Sequence, residues 1–293
     1  MKNLNWQKKN LIKIPNTYNN FVIFNIIHKM IIAEIGWNFL GNLKLAKKMI
    51  LAAKTSNCKI VKFQLWDPKN LKPGPWDKDG RREIYQKAFL NDEKYKEIFE
   101  YCVSQGLDCF ASVFNMNDLD RLKKISNKYI KIPSPEVYDS KLIEKSLNSF
   151  QTVYVSTGAM KIEELESLKK YNSEENFIPL HCVSIYPLKS ENANFQKFKY
   201  LKNNFNKVGY SGHCEGINDA IYALSIGACC VEKHFTIDNS LEGRDNKFAI
   251  TTEELKKLCD FQNDLKNFNI DLGLDLQDKE KDVFENYRGR WRG

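Results

Sequence analysis

Residues 30–64 read MIIAEIGWNFLGNLKLAKKMILAAKTSNCKIVKFQ. Two short runs rich in Ile, Val and Phe, Met30–Gly36 and Lys59–Gln64, enclose a stretch in which Ala46, Met49, Ile50 and Ala53 recur at i, i+3, i+4 and i+7. The first pattern is that of a buried strand and the second that of a helix with one apolar face, so the segment is a strand–helix–strand unit.

The same alternation continues through Leu107–Val113, Tyr129–Ile132, Thr152–Ser156, Phe177–Cys182, Lys207–Tyr210 and Ala228–His234, which makes eight strand-like runs. Between them lie helical segments such as the one carrying Leu119, Leu122 and Ile125. A last helix is expected over about Thr251–Phe268, behind an N-cap-like Thr252 with Glu254 nearby. Eight strands, each followed by a helix, predict an α/β fold of the (β/α)8 TIM-barrel type in a single domain over residues 30–268. An open doubly wound sheet is disfavoured, because no G-x-G-x-x-G follows any strand. Residues 1–29 read as an N-terminal extension and 269–293 as an Arg-rich tail, the remnant of a linker. The connection Leu65–Leu90, with Pro68, Pro73, Gly74, Pro75 and Gly80, follows the second strand and is expected to lie over the barrel mouth.

Composition narrows the function. An apolar fraction of 42% with 28% charged residues excludes a disordered polymer. The longest apolar stretch, Phe21–Ile35, is broken by Asn25, His28, Lys29 and Glu34, so no membrane span is expected. The net charge of +8 is scattered among acids along helices, which reads as a solvated surface rather than a nucleic-acid interface. Eight cysteines without paired zinc-type spacing read as reduced thiols of a cytoplasmic protein, and the Lys/Asn-rich start lacks the features of an export signal.

In a barrel the polar residues that close each strand face the active site. Here they are Glu34, Lys62, Gln64, Lys131, Ser134, Ser156, His181, Ser211, His213 and His234. His213 and His234 end neighbouring strands, and adjacent strands run about 5 Å apart, so the two imidazoles, with Asp245 following, form a candidate site for a divalent cation of the manganese type. Lys62 and Lys131 sit in otherwise apolar strands. With Ser134, Ser156 and Ser211 around the same mouth they point to an anionic, phosphate-bearing ligand; ion pairing with Glu34 or Glu232 is the plainer alternative. The turn Ser156-Thr157-Gly158 permits close backbone approach to a phosphate.

Ala33-Glu34-Ile35-Gly36, Val61-Lys62-Phe63-Gln64, Lys131-Ile132-x-Ser134, Ser156-Thr157-Gly158, Leu180-His181-Cys182 with Tyr186-Pro187, Gly209-Tyr210-Ser211-x-His213 and Glu232-Lys233-His234-Phe235-Thr236 come in that order. This set resembles the N-acetylneuraminate (sialic acid) synthase family over about residues 30–285. The resemblance implies a condensation of phosphoenolpyruvate with the open-chain aldehyde of an N-acylated amino sugar, giving a nonulosonic acid of the sialic, legionaminic or pseudaminic type and phosphate. It further implies His213 and His234 as ligands of a divalent metal (Mn²⁺, with Mg²⁺ or Co²⁺ as alternatives). Lys62, Gln64, Lys131, Ser134, Ser156 and Ser211 match the phosphoenolpyruvate positions, Ser184 and Tyr186 the sugar positions, and Glu34 and Asp245 the carboxylates at the reacting centre.

The chain departs from the family pattern in four places. Trp37-Asn38-Phe39 replaces Asn-His-Asn. Val113 replaces a threonine and is expected to remove one bond to the ligand, about 1.5–3 kcal/mol. Gly212 replaces an aspartate and is expected to remove a carboxylate beside the metal. An antifreeze-like domain is not expected after the barrel, so its arginine contact to the acceptor is expected from Arg288, Arg290 and Arg292 of a homodimer partner, from a separately encoded antifreeze-like domain, from the Leu65–Leu90 loop, or not at all. A related sugar acid synthase with another aldehyde, or an impaired barrel serving as a partner subunit, are the competing readings.

Overall fold

The computed structural model describes residues 29–292; the expected N-terminal extension, apart from Lys29, lies outside the described residues. Strands β1 (Met30–Gly36), β2 (Ile60–Leu65), β3 (Asp108–Val113), β4 (Tyr129–Ile132), β5 (Thr152–Ser156), β6 (Phe177–Cys182), β7 (Gly209–Gly212) and β8 (Cys230–His234) pair in parallel in sequence order. Pairing of β8 with β1, from Met30 opposite Cys230 to Glu34 opposite His234, closes the barrel.

The strands alternate with period two, and that alternation builds the mouth. Ile32, Ile60, Phe110, Tyr154, Ile178, Leu180 and Cys230 pack together inside the barrel as an apolar floor. Two residues further along the same strands, on the same inner face, stand Glu34, Lys62, Ser112, Ser156, Cys182 and Glu232, all buried. The polar layer lies on the mouth side of this apolar floor.

Helices α1 (Leu43–Thr55), α2 (Arg81–Ala88), α3 (Asp92–Ser104), α4 (Met116–Lys123), α5 (Ser140–Leu147), α6 (Ile162–Ser167), α7 (Phe195–Asn204), α8 (Asn218–Ser225) and α9 (Thr252–Phe268) alternate with the strands, and all but α2, which lies in the long connection after β2, bury side chains in the outer core. Asn42 caps α1 by accepting from the Leu45 N–H, and the helix buries the expected Ala46, Met49, Ile50 and Ala53. Leu119 and Leu122 are buried on α4, whereas Ile125 lies beyond its end and is only partly covered. The cap of α9 is Thr251 rather than Thr252: its hydroxyl accepts from Glu254 N–H while the Glu254 carboxylate accepts from Thr251 N–H at 2.8 Å.

β7 begins at Gly209 rather than Lys207 and runs on to Gly212. A Cβ at Gly209 would lie 2.4 Å from both Cys230 Sγ and Leu180 Cδ2, so only glycine lets β6 and β8 flank the strand there. The Leu65–Leu90 connection is more ordered than a loop, holding 3₁₀ turns at Pro68–Asn70 and Pro75–Asp77 before α2. Its Trp66 and Tyr85 pack edge-on against Trp37 at the end of β1, and Lys87 pairs with Glu242 beyond β8. No helix among the described residues is long and apolar enough to cross a membrane.

Candidate active site

The inner polar layer is a lattice of buried charges. Lys62 donates to Glu34 Oε1 at 2.6 Å and to Ser112 Oγ at 2.8 Å, and its ammonium stands 3.7 Å from Glu232 Oε2. Lys131 pairs with Glu232 Oε1 and donates to Ser211 Oγ at 3.2 Å. Ser211 donates to Glu232 Oε1 at 3.0 Å, and Gln64 Nε2 donates to Glu34 Oε1 at 2.7 Å. Burial alone would raise the Glu34 carboxyl, but Lys62, then His234 and Lys131, hold it well below the usual carboxylate range. Burial likewise works against the Lys131 ammonium, yet Glu232 and Glu34 keep its pKa above the ordinary lysine value. Both lysines therefore carry the ion pairs of the plainer sequence reading, on the inner face that opens into the mouth. Glu232 was visible in the sequence only as a pairing partner; it bridges both lysines, a role that depends on β8 lying across the barrel from β4.

Next to this lattice, at the ends of β4–β6, the surface is neutral and rich in hydroxyls. Gly158 N–H donates to Ser134 Oγ at 3.1 Å. Ser156 Oγ and Ser184 Oγ are buried without a hydrogen-bond partner. A Cβ on Gly158 would fall 2.2 Å from Ser184 Oγ and 2.6 Å from Ser134 Oγ, so the hydroxyls converge on a space that only glycine leaves open. Unpaired buried hydroxyls cost free energy unless a ligand satisfies them, and a phosphate has the acceptor oxygens to do so.

The third sector lies at β7 and β8. The rings of His213 and His234 are 5.5 Å apart between centroids, and Tyr186 lies 4.2 Å from His213. His213 Nδ1 meets the Val183 carbonyl at 2.9 Å, so by the hydrogen-bond network it is the donor there and Nε2 keeps its lone pair. The Cys182 thiol, 3.9 Å from that ring, raises the His213 pKa against the opposing effect of burial. His234 is held below its ordinary value by burial, with Glu34 and Asp245 opposing. Its Nδ1 is buried and unbonded, 3.7 Å from Asp245 Oδ2, while Nε2 stands 3.6 Å from Glu34 Oε2. Among the described residues no group of three or more His, Cys, Asp or Glu side chains is arranged to hold a metal ion. The unbonded His234 Nδ1 faces Asp245, with Glu34 at the opposite ring nitrogen and the His213 ring alongside, and imidazoles and carboxylates are donor types that a divalent cation of the manganese type accepts.

Other expectations change once faces are assigned. His181 points outward, donating from Nε2 to the Ala193 carbonyl at 2.8 Å and packing against Phe195, Phe198 and Tyr210. Burial pushes its pKa to about 4, so it is a neutral core residue. Val113 also faces the helix layer, since Ser112 takes the inner position, and the bond expected to be lost there does not exist in the mouth. Gly212 likewise lies on the outer face: a Cβ there would meet Asp219 Oδ2 at 2.4 Å and the Tyr210 ring at 2.5 Å, so no mouth carboxylate is missing. Asn38, in the Trp37-Asn38-Phe39 departure, is buried and ties β1 to β8 by donating to the Phe235 carbonyl at 2.9 Å. Arg288 and Arg290 stack on Phe284, Tyr287 and Trp291 within the exposed tail itself.

Comparison with known proteins agrees with this geometry. The sequence pattern of the NeuB family matches residues 49–271. A pseudaminic acid synthase of Campylobacter jejuni is 34% identical over 272 residues, 87% of this chain and 79% of that protein. An N,N'-diacetyllegionaminic acid synthase of the same species is 32% identical over 247 residues, covering 78% and 74%. The crystal structure of N-acetylneuraminic acid synthetase from Leptospira borgpetersenii, in complex with citrate, superposes with a TM-score of 0.79 at 29% identity, covering 91% of this chain and 93% of that one.

Proposed function

The chain belongs to the NeuB family, and on that premise we propose that it condenses phosphoenolpyruvate with the aldehyde of an N-acylated amino sugar to give a nonulosonic acid and inorganic phosphate. The observation that carries the reading is the pairing, in one mouth, of two buried lysines with the Ser156 and Ser184 hydroxyls, which are buried without a partner. Together they suit a ligand that bears both a carboxylate and a phosphate.

Lys62 and Lys131 bind the anionic donor by charge-assisted bonds, exchanging part of their contact with Glu34 and Glu232 for the ligand's oxygens. Ser134, Ser156, Ser211 and the Gly158 turn hold the phosphate, and Gln64 fixes Glu34. Ser184 and Tyr186 orient the acceptor sugar. His213 and His234, with Asp245 and Glu34 beside them, would hold a divalent cation, which as a Lewis acid polarises the sugar's carbonyl oxygen. The C2=C3 electron pair of phosphoenolpyruvate forms the new bond from C3 to the aldehyde carbon, and the resulting alkoxide takes the proton relayed from the incoming water. The electron-poor C2 takes up water; Glu34 or Asp245 accepts the water's proton, and cleavage of the C2–O bond to phosphate leaves a 2-keto acid.

Residues 30–268 form the catalytic barrel in this reading. Arg288, Arg290 and Arg292 reach the acceptor in the mouth of a second copy of the chain, or a separate antifreeze-like domain takes their place. The impaired-barrel alternative rested in part on Val113 and Gly212, and both side-chain positions face away from the mouth. Incubation with phosphoenolpyruvate, Mn²⁺ and a panel of amino-sugar aldehydes, with product masses and phosphate read together, tests the proposal. Stoichiometric phosphate and a nonulosonic acid support it; no phosphate release with any amino sugar overturns it.

A further inference from the structure

Behind the His213–His234 pair, on the helix side of the sheet, lies a second buried ion pair for which the reaction provides no task. Lys233 and Asp219 have side chains only 2% and 4% exposed. Lys233 stands between Glu232 and His234 on β8, so alternation turns it away from the mouth that both neighbours face. Its ammonium donates to both Asp219 carboxylate oxygens at 3.0 Å and to the Cys214 carbonyl at 2.6 Å, which uses all three of its hydrogens. Asp219 lies in the first turn of α8 and also accepts from Tyr210 Oη at 3.0 Å.

These contacts converge on the two candidate metal ligands. Gly212 is the register partner of Lys233, so His213 and His234 are the next residues along the paired strands. Cys214, held through its carbonyl by Lys233, directly follows His213, whose own carbonyl accepts from Leu188 N–H at 2.9 Å. The carboxylate of Asp219 occupies the space that any side chain at position 212 would need. A well-packed apolar pair would be no less stable than buried opposite charges, so the arrangement calls for a reason other than stability.

We propose that the Lys233–Asp219 pair, seated in the space left by Gly212, is the positioning device that holds His213 against His234 for a divalent cation. This rests on the metal reading of the two histidines given above. The pair touches no substrate; it fixes the backbone on which both imidazoles stand, so its loss should loosen the cation site before it disturbs the phosphate site.

The test measures Mn²⁺ affinity without substrates, by the loss of the free-ion electron paramagnetic resonance signal, in the full chain. Gly212→Ala, which forces Asp219 to move without stranding a charge, and the neutral double variant Lys233→Met with Asp219→Leu should each weaken Mn²⁺ binding at least tenfold. Tyr210→Phe, which removes only one hydroxyl, serves if either fails to fold and should weaken binding about threefold. Leu122→Ala, a cavity in the remote helix layer, should lower the thermal midpoint with Mn²⁺ affinity unchanged, which separates positioning from general instability. His234→Gln should abolish binding. Mn²⁺ affinity within twofold of the parent in the folded Gly212, Lys233/Asp219 or Tyr210 variants, with His234→Gln inactive in binding, overturns the positioning role alone. Unchanged binding in His234→Gln overturns the metal reading and this inference with it.

Discussion

Lys62 Nζ lies 2.6 Å from Glu34 Oε1, and both side chains are buried. The anion that Lys62 is placed to bind must therefore share the ammonium with a carboxylate already there. Lys62→Met is expected to raise the KM for phosphoenolpyruvate at least tenfold. It should also destabilise the fold by about 3–5 kcal/mol, because Glu34 is left buried with one fewer cation. Adding Glu34→Gln should recover much of that stability but none of the affinity. Denaturant midpoints and steady-state kinetics on the three proteins check both statements.

Gly158→Ala places a methyl group among Ser134, Ser184 and Cys182. The barrel should fold, since the clash is with side chains at the open mouth, but affinity for phosphoenolpyruvate and for inorganic phosphate as an inhibitor should fall at least tenfold. Calorimetric titration with each ligand measures this.

Activity should vanish in excess chelator and return with Mn²⁺, as expected for two imidazoles flanked by carboxylates. His213→Ala should lose turnover while its far-ultraviolet circular dichroism stays that of the parent. Full turnover in chelator would remove the cation from the reaction.

His181 sets a pH dependence of stability. Its pKa is about 4 in the fold, against an unperturbed value of about 6.5, because burial disfavours the imidazolium. The folded state therefore binds this proton less readily than the unfolded chain, and the stabilisation is complete above about pH 6.5 and lost as pH falls toward 4. The span corresponds to roughly 3 kcal/mol. His181→Phe, which keeps an aromatic ring against Phe195 and Tyr210, should remove that part of the acid sensitivity, read from urea midpoints at pH 7, 5.5 and 4.5.

Val113→Thr tests the assignment of faces. Since residue 113 packs in the outer core, the added hydroxyl should leave phosphoenolpyruvate affinity within twofold and cost stability of about 1–3 kcal/mol for an unpaired buried hydroxyl. A gain in affinity would mean that the side chain reaches the mouth.

Strand positions and the polar residues that close them were legible because both are local. Met30–Gly36 and Phe177–Cys182 read as short, largely apolar runs because strands of a barrel are buried on both faces, and the alternation of side chains along them places Glu34, Lys62, Ser156 and Cys182 on one face. Applied strictly, it also turns Val113, His181 and Gly212 outward, which reading each strand end as a block of polar residues obscured.

The sequence by itself determined the eight-strand alternation, the inner-face identity of the mouth residues and the family pattern, since these depend on neighbours a few positions apart. Only the tertiary structure decided the partners. Lys62 meets Glu34 across 28 positions because β1 and β2 pair in that register, whereas Lys131 meets Glu232 across 101 positions only because the closed barrel sets β8 across from β4. The convergence of Ser134, Ser184 and Gly158, and the seat of Asp219 beneath Gly212, arise the same way: excluded volume and charge balance are settled between strands, after the barrel has closed.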